Sequence, residues 1–488
     1  MKVVIPMSGS GQRFRDAGYT SPKPLILVDG EPMIHHVTRM FPGADFIFIY
    51  NETHEDVKQV LKDLYPNSVH VPIAPHKQGP VYTLLCAEHA IPDDEEVIVS
   101  YCDYGTQWDF QSFVDTVRGF DGGIAAYIGF HPHMLGPDHY AYIQHENMVL
   151  TDIREKEPFT DNKMNEYASN GTYYVRSGRL LKECCRKLIE SGEAIKGEYY
   201  VSMIYKYMDR VRVFEIQKML QWGTPRDLEE YHMWSNFFKA PPLIPRKMNG
   251  VTILPMAGEG SRFAVQGYTC PKPFLPINGQ PMVLRALECL PTTDETYIIK
   301  RTHHQVPDVH AHVMSIDHVT DGQATTCAMV IEKLPQNCPV LVSACDNGAY
   351  YDTALFESYV NDLSNDVIVW SFHNHPTSKQ KPHMYAWLKV NDNGYITDVS
   401  VKKPFDGCKH AIIGTMFFRS AKMFMEGYRY IVENKIQTNG EYYVDNLLKP
   451  LIDFGYNVKV FPVDYYLCWG TPDDYRVYNY WQEYFDQK

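Results

Sequence analysis

The sequence predicts an α/β protein made of two tandem domains, each with a mostly parallel mixed sheet flanked by helices. Two observations indicate this fold class. Short apolar segments typical of strands alternate with segments of helical periodicity, which is the pattern of a parallel sheet covered by helices. The whole pattern then occurs twice within the 488 residues of the chain.

The elements of the first copy follow one another in a regular order. A strand is predicted over residues 3–5, directly before a glycine-rich loop. Helices and strands then alternate over residues 34–40, 45–49, 54–64, 68–73, 81–90 and 96–100, beginning with a helix. The second half of each copy is richer in strands and aromatic residues, so we expect a less regular region there, on the substrate side.

The duplication is visible in paired motifs. P-M-S-G-S-G-Q-R-F at residues 6–14 is answered by P-M-A-G-E-G-S-R-F at 255–263, and both G-E-Y-Y-V and W-G-T-P occur twice. A period of roughly 240 residues is too long for a solenoid, so each copy should be a domain with its own core. We predict domains over 1–240 and 248–488, joined at residues 239–246 by a stiff connector with three prolines.

Composition excludes several classes of function. The formal net charge of −13 argues against a nucleic-acid partner, which needs a basic surface, but not against small anionic substrates held by local cations. Eleven cysteines without a C-x-x-C pair favour a reduced, cytoplasmic location. The apolar run at the N-terminus is too short for a signal peptide, and no run nears the roughly 20 residues that span a bilayer, so no membrane partner is expected. A homo-oligomer stays open.

The glycine-rich loop is the first candidate site. Gly9, Gly11 and Arg13 follow the opening strand, and the second copy repeats them. We expect both glycines to adopt positive φ, so that backbone N–H groups line a phosphate. The loop lacks the third glycine of the Rossmann motif and the G-K-[ST] of a Walker A motif.

Two further residue types complete a phosphate site in each copy. Lys23 and Lys272 each lie in a P-K-P sequence, where the prolines fix the backbone and hold the charge in place. Asp103 and Asp346 each end an apolar strand. Ligands of open α/β sheets bind at the carboxyl ends of strands, and Mg²⁺ favours one or two carboxylates plus substrate phosphates. Each aspartate is therefore a candidate Mg²⁺ ligand.

With these motifs in place, the chain resembles two fused copies of the nucleoside-diphosphate-sugar pyrophosphorylases, the sugar-phosphate nucleotidylyltransferases. The resemblance runs through G-x-G-x-R-F, P-K-P, the strand-end Asp, the E-K-x-P segment, G-E-Y-Y-V and W-G-T-P. It implies a GT-A-like Rossmannoid fold in each half. It also implies the reaction of an NTP with a sugar-1-phosphate to give an NDP-sugar and pyrophosphate, although related members use CTP and non-sugar phosphates such as phosphocholine.

The resemblance also implies a role for individual residues in each copy. The implied roles are catalytic for Arg13, Lys23, Arg262 and Lys272; nucleotide-binding for Gly9, Gly11, Gly79, Gly258, Gly260 and Gly322; acceptor-binding for Lys156, Gly171, Glu198, Lys402, Gly414 and Glu441; and metal-binding for Asp103 and Asp346.

The chemistry of that reaction suits these residue types. Two polyanions must meet, so cations and oriented N–H groups have to offset their repulsion, while little covalent catalysis is needed. No G-x-S-x-G elbow or convincing Cys–His pairing suggests a nucleophile. We therefore predict a Mg²⁺-dependent nucleotidylyltransferase, acting on an NTP and a phosphorylated small molecule, that makes an activated precursor for a surface polysaccharide such as a capsule.

The chain departs from the family pattern in two places. The segments beginning at Gln221 and Cys468 lack the second metal-binding Asp that the family usually has before G-T. The acceptor ends differ between the copies, at Glu155/Val401, Glu157/Lys403, Ser202/Asp445 and Met203/Asn446. This divergence favours either two different acceptors or one catalytic and one specialised copy.

Three alternatives stay open at this point. One copy could be regulatory or structural, although Arg, Lys and Asp are intact in both. A GT-A glycosyltransferase would usually show an Asp-x-Asp motif, and each copy offers a single Asp. A nucleotide-sensing scaffold would release no pyrophosphate. The paired histidines at 131/133 and 373/375 are interpreted as loop residues, since no third ligand follows at a metal-site spacing, and those at 35/36 and 303/304 are expected at the surface.

Overall fold

The computed structural model describes residues 1–307, 309–373 and 375–486. The chain divides into two compact units, Met1–Asn236 and Phe237–Lys488, called unit 1 and unit 2 below. Both units alternate strands and helices, so the predicted α/β class is confirmed. In the part of the chain that the structure describes, no helix is long and apolar enough to cross a membrane.

Unit 1 contains a large sheet and two small two-stranded ones. Its strands are β1 (Lys2–Met7), β2 (Leu27–Val28), β3 (Glu31–Pro32), β4 (Asp45–Asn51), β5 (Val69–Ile73), β6 (Val97–Ser100), β7 (Tyr104–Gln107), β8 (Gly122–Tyr127), β9 (Ala141–Glu146), β10 (Val149–Glu155), β11 (Tyr167–Val175), β12 (Val211–Glu215) and β13 (Lys218–Gln221). Its helices are α1 (Gln12–Asp16), α2 (Met33–Arg39), α3 (Glu55–Leu64), α4 (Pro80–Cys86), α5 (Phe110–Val117), α6 (Gly178–Ser191) and α7 (Pro225–Lys239), the last of which runs past the boundary between the units.

The large sheet of unit 1 has the strand order β5-β4-β1-β6-β11-β8-β12-β10-β9. The four strands β5, β4, β1 and β6 run parallel, whereas β11 is antiparallel to both of its neighbours β6 and β8. Val3, Val4 and Ile5 of β1 are fully buried, as expected for a central parallel strand that is covered on both faces. The carboxyl ends of β1 and β6 therefore open at the same edge of the sheet.

Unit 2 repeats this plan. Its strands are β14 (Val251–Met256), β15 (Pro276–Ile277), β16 (Gln280–Pro281), β17 (Glu295–Arg301), β18 (His312–Ile316), β19 (Val340–Val342), β20 (Asn347–Tyr350), β21 (Val367–Phe372), β22 (Ala386–Val390), β23 (Ile396–Val401), β24 (His410–Phe418), β25 (Val458–Pro462) and β26 (Tyr465–Cys468). Its helices are α8 (Ser261–Val265), α9 (Met282–Glu288), α10 (Gln323–Ile331), α11 (Thr353–Asn361), α12 (Pro376–Gln380), α13 (Ala421–Glu433), α14 (Leu448–Asp453) and α15 (Pro472–Asp486).

The sheet of unit 2 has the order β18-β17-β14-β19-β24-β21-β25, with β22 pairing with β23 and β24. Strand for strand this is the order β5-β4-β1-β6-β11-β8-β12 of unit 1. In each unit, buried aliphatic and aromatic side chains form one core layer on either face of the sheet. The tandem duplication is thus a duplication of the fold as well as of motifs.

Two predictions about local structure need correction. The helix predicted over 81–90 ends at Cys86, and Glu88–Ala90 is a separate 3₁₀ helix. The connector predicted to begin at residue 239 begins later, since Lys239 is still the last residue of α7. The prolines that follow have no N–H to donate, so the helix ends before them.

Candidate active site

A cleft of about 410 Å³ opens at the carboxyl edge of the parallel strands in unit 1. The loop after β1, the turn before α4 and the end of β6 line it. It brings together seven of the residues that the sequence predicted for this copy: Gly9, Gly11, Arg13, Lys23, Gly79, Asp103 and Glu198. These residues come from distant parts of the chain, so their convergence is a property of the fold.

The glycine-rich loop turns sharply into a short helix in both units. Gly11 and Gly260 have φ of 64° and 63°, and each precedes its helix in the left-handed conformation. An added Cβ would lie 3.4 Å from the Cβ of Lys23 in unit 1 and 3.2 Å from that of Lys272 in unit 2. The second glycine therefore lets the loop pass close to the lysine that follows it.

The first glycine of each loop differs from the prediction. Gly9 and Gly258 have no positive φ. A Cβ placed on either would meet no atom within 4 Å, so each faces open space. Their small size keeps that space clear, and the left-handed conformation is needed only at the second glycine.

The predicted phosphate lysine and the predicted metal aspartate meet in both units. The Lys23 ammonium donates to the Asp103 carboxylate, and Lys272 donates to Asp346 in the same way. Lys272 also donates to the carbonyl oxygen of Gly470 at 3.1 Å. Each lysine begins a 3₁₀ helix directly after a proline, so the P-K-P sequence fixes its backbone as predicted.

This pairing favours the charged form of the lysine in both units and of the aspartate in unit 2. Burial alone would lower the pKa of Lys23, but the nearby Asp103 carboxylate outweighs it and the pKa is raised. The pKa of Lys272 is raised in the same way. Burial would raise the pKa of Asp346, yet the Lys272 charge and hydrogen bond lower it. An ionised lysine can bind a phosphate, and an ionised carboxylate can bind a cation, once the two separate.

The glycine before the second lining helix makes room for another chain segment. Gly79 has φ of 87°, and an added Cβ would lie 2.7 Å from the backbone nitrogen of Tyr199. The two segments bond through Tyr199 N–H to Gln78 O at 2.9 Å and Val81 N–H to Tyr199 O at 3.1 Å. The contact brings Glu198, next to Tyr199, to the cleft.

Unit 2 repeats this close approach. A Cβ on Gly322 would lie 2.6 Å from the nitrogen of Tyr442, which donates to Asp321 O at 2.7 Å. Glu441 precedes Tyr442 in the chain and so corresponds to Glu198. Both glycines thus have a structural role that the sequence prediction, which assigned them to the nucleotide base, did not include.

The predicted acceptor lysines are held in an unusual backbone conformation. Lys156 and Lys402 have φ of 61° and 66°, in the left-handed region that non-glycine residues rarely adopt. Backbone bonds to Tyr140 O at 2.8 Å and to Tyr385 O at 3.1 Å hold them there. Such strain persists only where the surrounding structure imposes it, and it clusters at functional sites.

An aromatic residue lies beside each of these lysines. The Nζ of Lys156 donates to the Tyr200 hydroxyl and lies 3.9 Å from its ring centroid, and Tyr200 in turn donates to Glu198. In unit 2 the Nζ of Lys402 lies 5.5 Å from the ring centroid of Tyr443. Tyr200 also lines the cleft, so the chain Lys156–Tyr200–Glu198 connects the acceptor lysine to it.

The remaining predicted acceptor residues lie one layer further back. Gly171 lies in β11, with its carbonyl oxygen accepting from Tyr101 N–H at 3.2 Å, and Tyr101 itself lines the cleft. Gly414 lies at the matching place in β24, near Ala344 and Asn347. Gly171 therefore lies behind the wall of the unit 1 cleft and does not line it itself.

Several cleft residues carried no signal strong enough to be predicted. One wall of the unit 1 cleft, called the Ser8 wall below, holds a polar cluster in which Ser8 Oγ lies 2.8 Å from Thr83 Oγ1 and His76 Nε2 lies 3.0 Å from the same oxygen. Counted from the repeated glycines, Ala257 and Val319 take the places of Ser8 and His76 in unit 2. The glycine-rich loops of the two units thus agree in their motifs but differ in this wall.

Few side chains near the predicted metal aspartates could serve as metal ligands. Among residues 1–307, 309–373 and 375–486 no three His, Cys, Asp or Glu side chains gather as a metal site. The W-G-T-P segment does lie against the strand-end aspartate, with Trp222 N–H donating to Asp103 O at 3.1 Å. One carboxylate per unit fits a cation whose other ligands are substrate phosphates and water, and does not fit an all-protein cage.

The histidine predictions are corrected in part. His131 and His133 are buried, 4% and 7% exposed, and His133 Nε2 lies 2.9 Å from the Tyr127 hydroxyl. His304, expected at the surface, is only 5% exposed. The aromatic residues around these rings account for their burial, and it lowers the pKa of His131 to about 4.

Comparison with known proteins matches both units to one family model. The model of the MobA-like NTP transferase domain covers residues 3–135 and 252–395, more than half of the chain. The bifunctional protein GlmU of Fervidobacterium nodosum is 22% identical over 265 residues, which are 52% of this chain and 54% of GlmU. The chain thus spans about half the length of this curated relative.

Solved structures similar to the chain each cover about half of it. A nucleoside-diphosphate-sugar pyrophosphorylase from Vibrio cholerae is 21% identical, with a TM-score of 0.39, and the match covers 47% of this chain and 98% of that one. A putative glucose-1-phosphate thymidylyltransferase from Bacillus anthracis is 16% identical, with a TM-score of 0.40 and coverage of 49% and 97%.

Proposed function

The chain belongs to the family of MobA-like NTP transferase domains and carries two copies in tandem, and on that premise we propose that each copy joins an NTP to a sugar-1-phosphate or similar phosphorylated acceptor. The chain is a nucleotidyltransferase of the NDP-sugar pyrophosphorylase type. The proposed products are an NDP-linked molecule and pyrophosphate.

The proposal rests mainly on one observation: in each unit a lysine and an aspartate form an ion pair beside a glycine-rich loop. In both units the lysine pairs with the strand-end aspartate at the carboxyl edge of the sheet. Arg13 joins Lys23 on the cleft of unit 1. A cluster of cations in a partly buried cleft is the requirement for holding a triphosphate.

The geometry supports an in-line transfer with separate sites for the two phosphates. The acceptor phosphate oxygen would attack the α-phosphorus while pyrophosphate leaves on the opposite side. In unit 1, Lys23 and Arg13 would offset the charge of the triphosphate, and Lys156 would hold the acceptor phosphate. The fixed backbone of both lysines favours the reaction by positioning.

A divalent cation fits the proposed site only together with substrate. Asp103 in unit 1 and Asp346 in unit 2 would hold Mg²⁺ with the substrate phosphates, where it would screen the triphosphate charge. In the structure, the lysine of each unit donates a hydrogen bond to this carboxylate.

The wider role follows from the product class. We place the reaction in the cytoplasm, where NTPs are available, and assign its product to the synthesis of a surface polysaccharide such as a capsule. The divergent acceptor ends favour two different acceptors over two identical ones.

Pyrophosphate release tests the proposal. The full chain is assayed with each of the four NTPs against a panel of phosphorylated sugars, polyols and phosphocholine. The same assay is applied to Lys23→Ala, Lys272→Ala and the double variant. Lys62→Ala, an exposed lysine on α3, is the matched control.

The proposal predicts different results for the single and double variants. Each single variant should lose turnover with one acceptor class and keep the other, and the double variant should lose both. A parent chain that releases no pyrophosphate with any pair would contradict the transferase function. A single variant that abolishes all turnover would contradict two independent sites.

A further inference from the structure

A cavity of about 430 Å³, called the amino-edge cavity below, lies in unit 2 away from the residues proposed to bind phosphate. All of its lining residues belong to that unit. Met248 precedes β14, Pro339 precedes β19 and Arg419 follows the antiparallel β24, so the cavity opens at the amino edge of the parallel strands. Lys272 and Asp346 meet at the opposite, carboxyl edge. The six residues of β14 separate the two edges by about 20 Å.

In unit 1 a hydrogen-bonded ion pair stands at the corresponding positions. Arg118, directly after α5, donates from Nε and from Nη2 to the Glu96 carboxylate at 3.0 Å each. The Tyr174 hydroxyl donates to the same carboxylate at 2.9 Å. Counted from the strand-end aspartates, the unit 2 counterparts of these three residues are Asn361, Pro339 and Phe417. All three counterparts line the amino-edge cavity, and none of them carries a charge, so they cannot form this ion pair.

A large aromatic ring is also replaced on the neighbouring helix. Phe110 is the first residue of α5, and its ring centroid lies 5.5 Å from that of Phe41 and 5.6 Å from that of Trp108. The first residue of α11 is Thr353, which lines the cavity. Both helices begin after an aspartate N-cap, so the two first residues correspond. Unit 2 thus has smaller or uncharged side chains at positions that unit 1 fills with a ring and an ion pair.

Cations surround the space in unit 2. Among the lining residues in the described part of the chain, Glu357 is the one acid, against three cations. Arg246 pairs with Glu357, and Lys247 pairs with Asp294 at 3.2 Å. The side chains of these two pairs are between 42% and 68% exposed. Ion pairs this exposed contribute little free energy, so another anion can compete for both cations.

The third cation, Arg419, is half-buried among backbone carbonyl groups. It donates to the carbonyl oxygens of Asn365 at 2.7 Å, of Val360 at 2.9 Å and of Asp362 at 2.9 Å. Burial lowers the pKa of Arg419, although the charges of Asp366 and Asp362 oppose that change. The acids nearby therefore do not fully offset the cost of burying this charge, and an anion in the cavity would add to their effect.

Apolar side chains form much of the remaining wall. Phe356 and Phe417 are 3% and 1% exposed, whereas Leu363 is 79% exposed. A ligand that covered Leu363 would remove this apolar surface from water. Cavities of this size, with apolar walls and a few polar groups, are typical of small-molecule sites. The lining favours a molecule with an apolar ring at one end and a negative charge at the other.

We propose that the amino-edge cavity of unit 2 binds a small organic anion that carries an apolar ring. Its charged group would contact Arg246, Lys247 and Arg419, and its ring would lie against Phe417 and Leu363. A carboxylate and a phosphate offer these cations the same charge-assisted hydrogen bonds. This site is separate from the residues proposed to bind the NTP and the acceptor, and it does not depend on the proposed function.

Calorimetric titration of the full chain with four probes tests the site. Phenyl phosphate and phenylacetate carry a ring and a charge, benzyl alcohol carries the ring without the charge, and inorganic phosphate carries the charge without the ring. At least one ring anion should bind with a dissociation constant below about 10 mM. It should bind at least about tenfold more tightly than benzyl alcohol and inorganic phosphate do. The tighter of the two ring anions identifies phosphate or carboxylate as the preferred group.

Substitutions assign the binding to the cavity. Thr353→Phe gives unit 2 the ring that unit 1 has at this position, and it should abolish the binding. Arg246→Gln should weaken both ring anions by at least about tenfold, since hydrogen bonds to charged groups are the stronger ones. Arg429→Gln, at an exposed arginine of α13, is the matched control and should have no effect. Pyrophosphate release measured without probe should be the same in all three variants as in the parent.

The inference is overturned if neither ring anion binds the parent chain, or if folded Thr353→Phe, checked by melting temperature, keeps the binding. Leu363→Ser changes an exposed side chain, so it should fold in any case, and it should weaken both ring anions. Equal affinity for benzyl alcohol and the ring anions, or equal losses in Arg246→Gln and Arg429→Gln, would contradict an anion site. Because the probes report binding, a parent chain without transferase activity would leave this test intact.

Discussion

The Lys23 ammonium donates to the Asp103 carboxylate at the base of the cleft in unit 1. The two residues lie eighty positions apart in the chain, and the contact between Lys272 and Asp346 repeats it in unit 2. The pair joins the cation proposed for the triphosphate to the carboxylate proposed for the metal. Within the pair, each group offsets the charge of the other.

Replacing the lysine should therefore affect catalysis far more than binding of the acceptor. In a chain whose unit 2 is silenced by Lys272→Ala, Lys23→Met should lower kcat by about 100-fold, as removal of one preorganised donor does in other sites. Acceptor KM should change little, since Lys156 is the residue proposed to hold that phosphate. Steady-state pyrophosphate release measures both. An equal loss with Lys62→Met would show that the effect is unrelated to the cleft.

Gly79 should tolerate no side chain because of steric overlap as well as backbone strain, and Gly119 serves as the control for the strain. Gly79 and Gly119 have φ of 87° and 86°, but only Gly79 has backbone atoms within 3 Å of an added Cβ. Both alanine variants carry backbone strain, and Gly79→Ala should lose about 1–3 kcal/mol more because of overpacking. Urea unfolding of the two variants measures the difference. Equal losses would mean that the Tyr199 segment moves aside freely.

Glu155, the buried acid of unit 1, should make the free energy of unfolding depend on pH. The folded-state pKa of Glu155 is raised to about 7, above the ordinary value of a free glutamate. Between those values the folded chain holds a proton that the unfolded chain has lost, so this residue stabilises at low pH and that stability is lost as pH rises.

Glu155→Gln removes this titration. The free energy of unfolding of the parent relative to Glu155→Gln should fall by up to about 1.4 kcal/mol per pH unit between pH 5 and 7. Denaturant titrations at several pH values measure it, with Glu146→Gln as the exposed control. A difference that is flat with pH, or that rises, would contradict the raised pKa.

We predict that the Ser8 wall, formed by Ser8, His76 and Thr83, determines which NTP each unit prefers. Ser8→Ala with His76→Val gives unit 1 two of the wall residues of unit 2, and removes side chains that contact Thr83 beside the cleft. We expect NTP preference to shift by about tenfold toward that of unit 2, the size of one or two hydrogen bonds. KM ratios for the four NTPs measure this in the Lys272→Ala background. If KM changed by the same factor for all four NTPs, the substitutions would have damaged the wall without altering which NTP it prefers.

Much of the fold and part of the site could be predicted because their signals are local. The alternation of strands and helices, the paired glycines and the P-K-P lysines depend on residues close together in the chain. The strand-end position of Asp103 and Asp346 follows from the apolar runs before them. These patterns placed Arg13, Lys23 and Asp103 correctly at one edge of the sheet.

Other features lay beyond such signals. No pattern in the sequence shows that Lys156 and Lys402 have a left-handed backbone, or that His133 is buried beside Tyr127. Positive φ was predicted at Gly9 as well as at Gly11, and only the second glycine needs it. Backbone conformation at a single residue depends on which segments pack around it, and that is settled by the whole fold.

By itself, the sequence determined the α/β class, the duplication and the set of cations proposed to bind phosphate, since these depend on composition and spacing. The tertiary structure alone decided which side chains share a wall. Glu155 meets Ser202, Asp445 lies near Lys402, and His76 joins Thr83 only once strands and 3₁₀ helices have packed. The surroundings of the proposed nucleotide and acceptor residues differ between the two units for that reason, although their motifs are nearly the same.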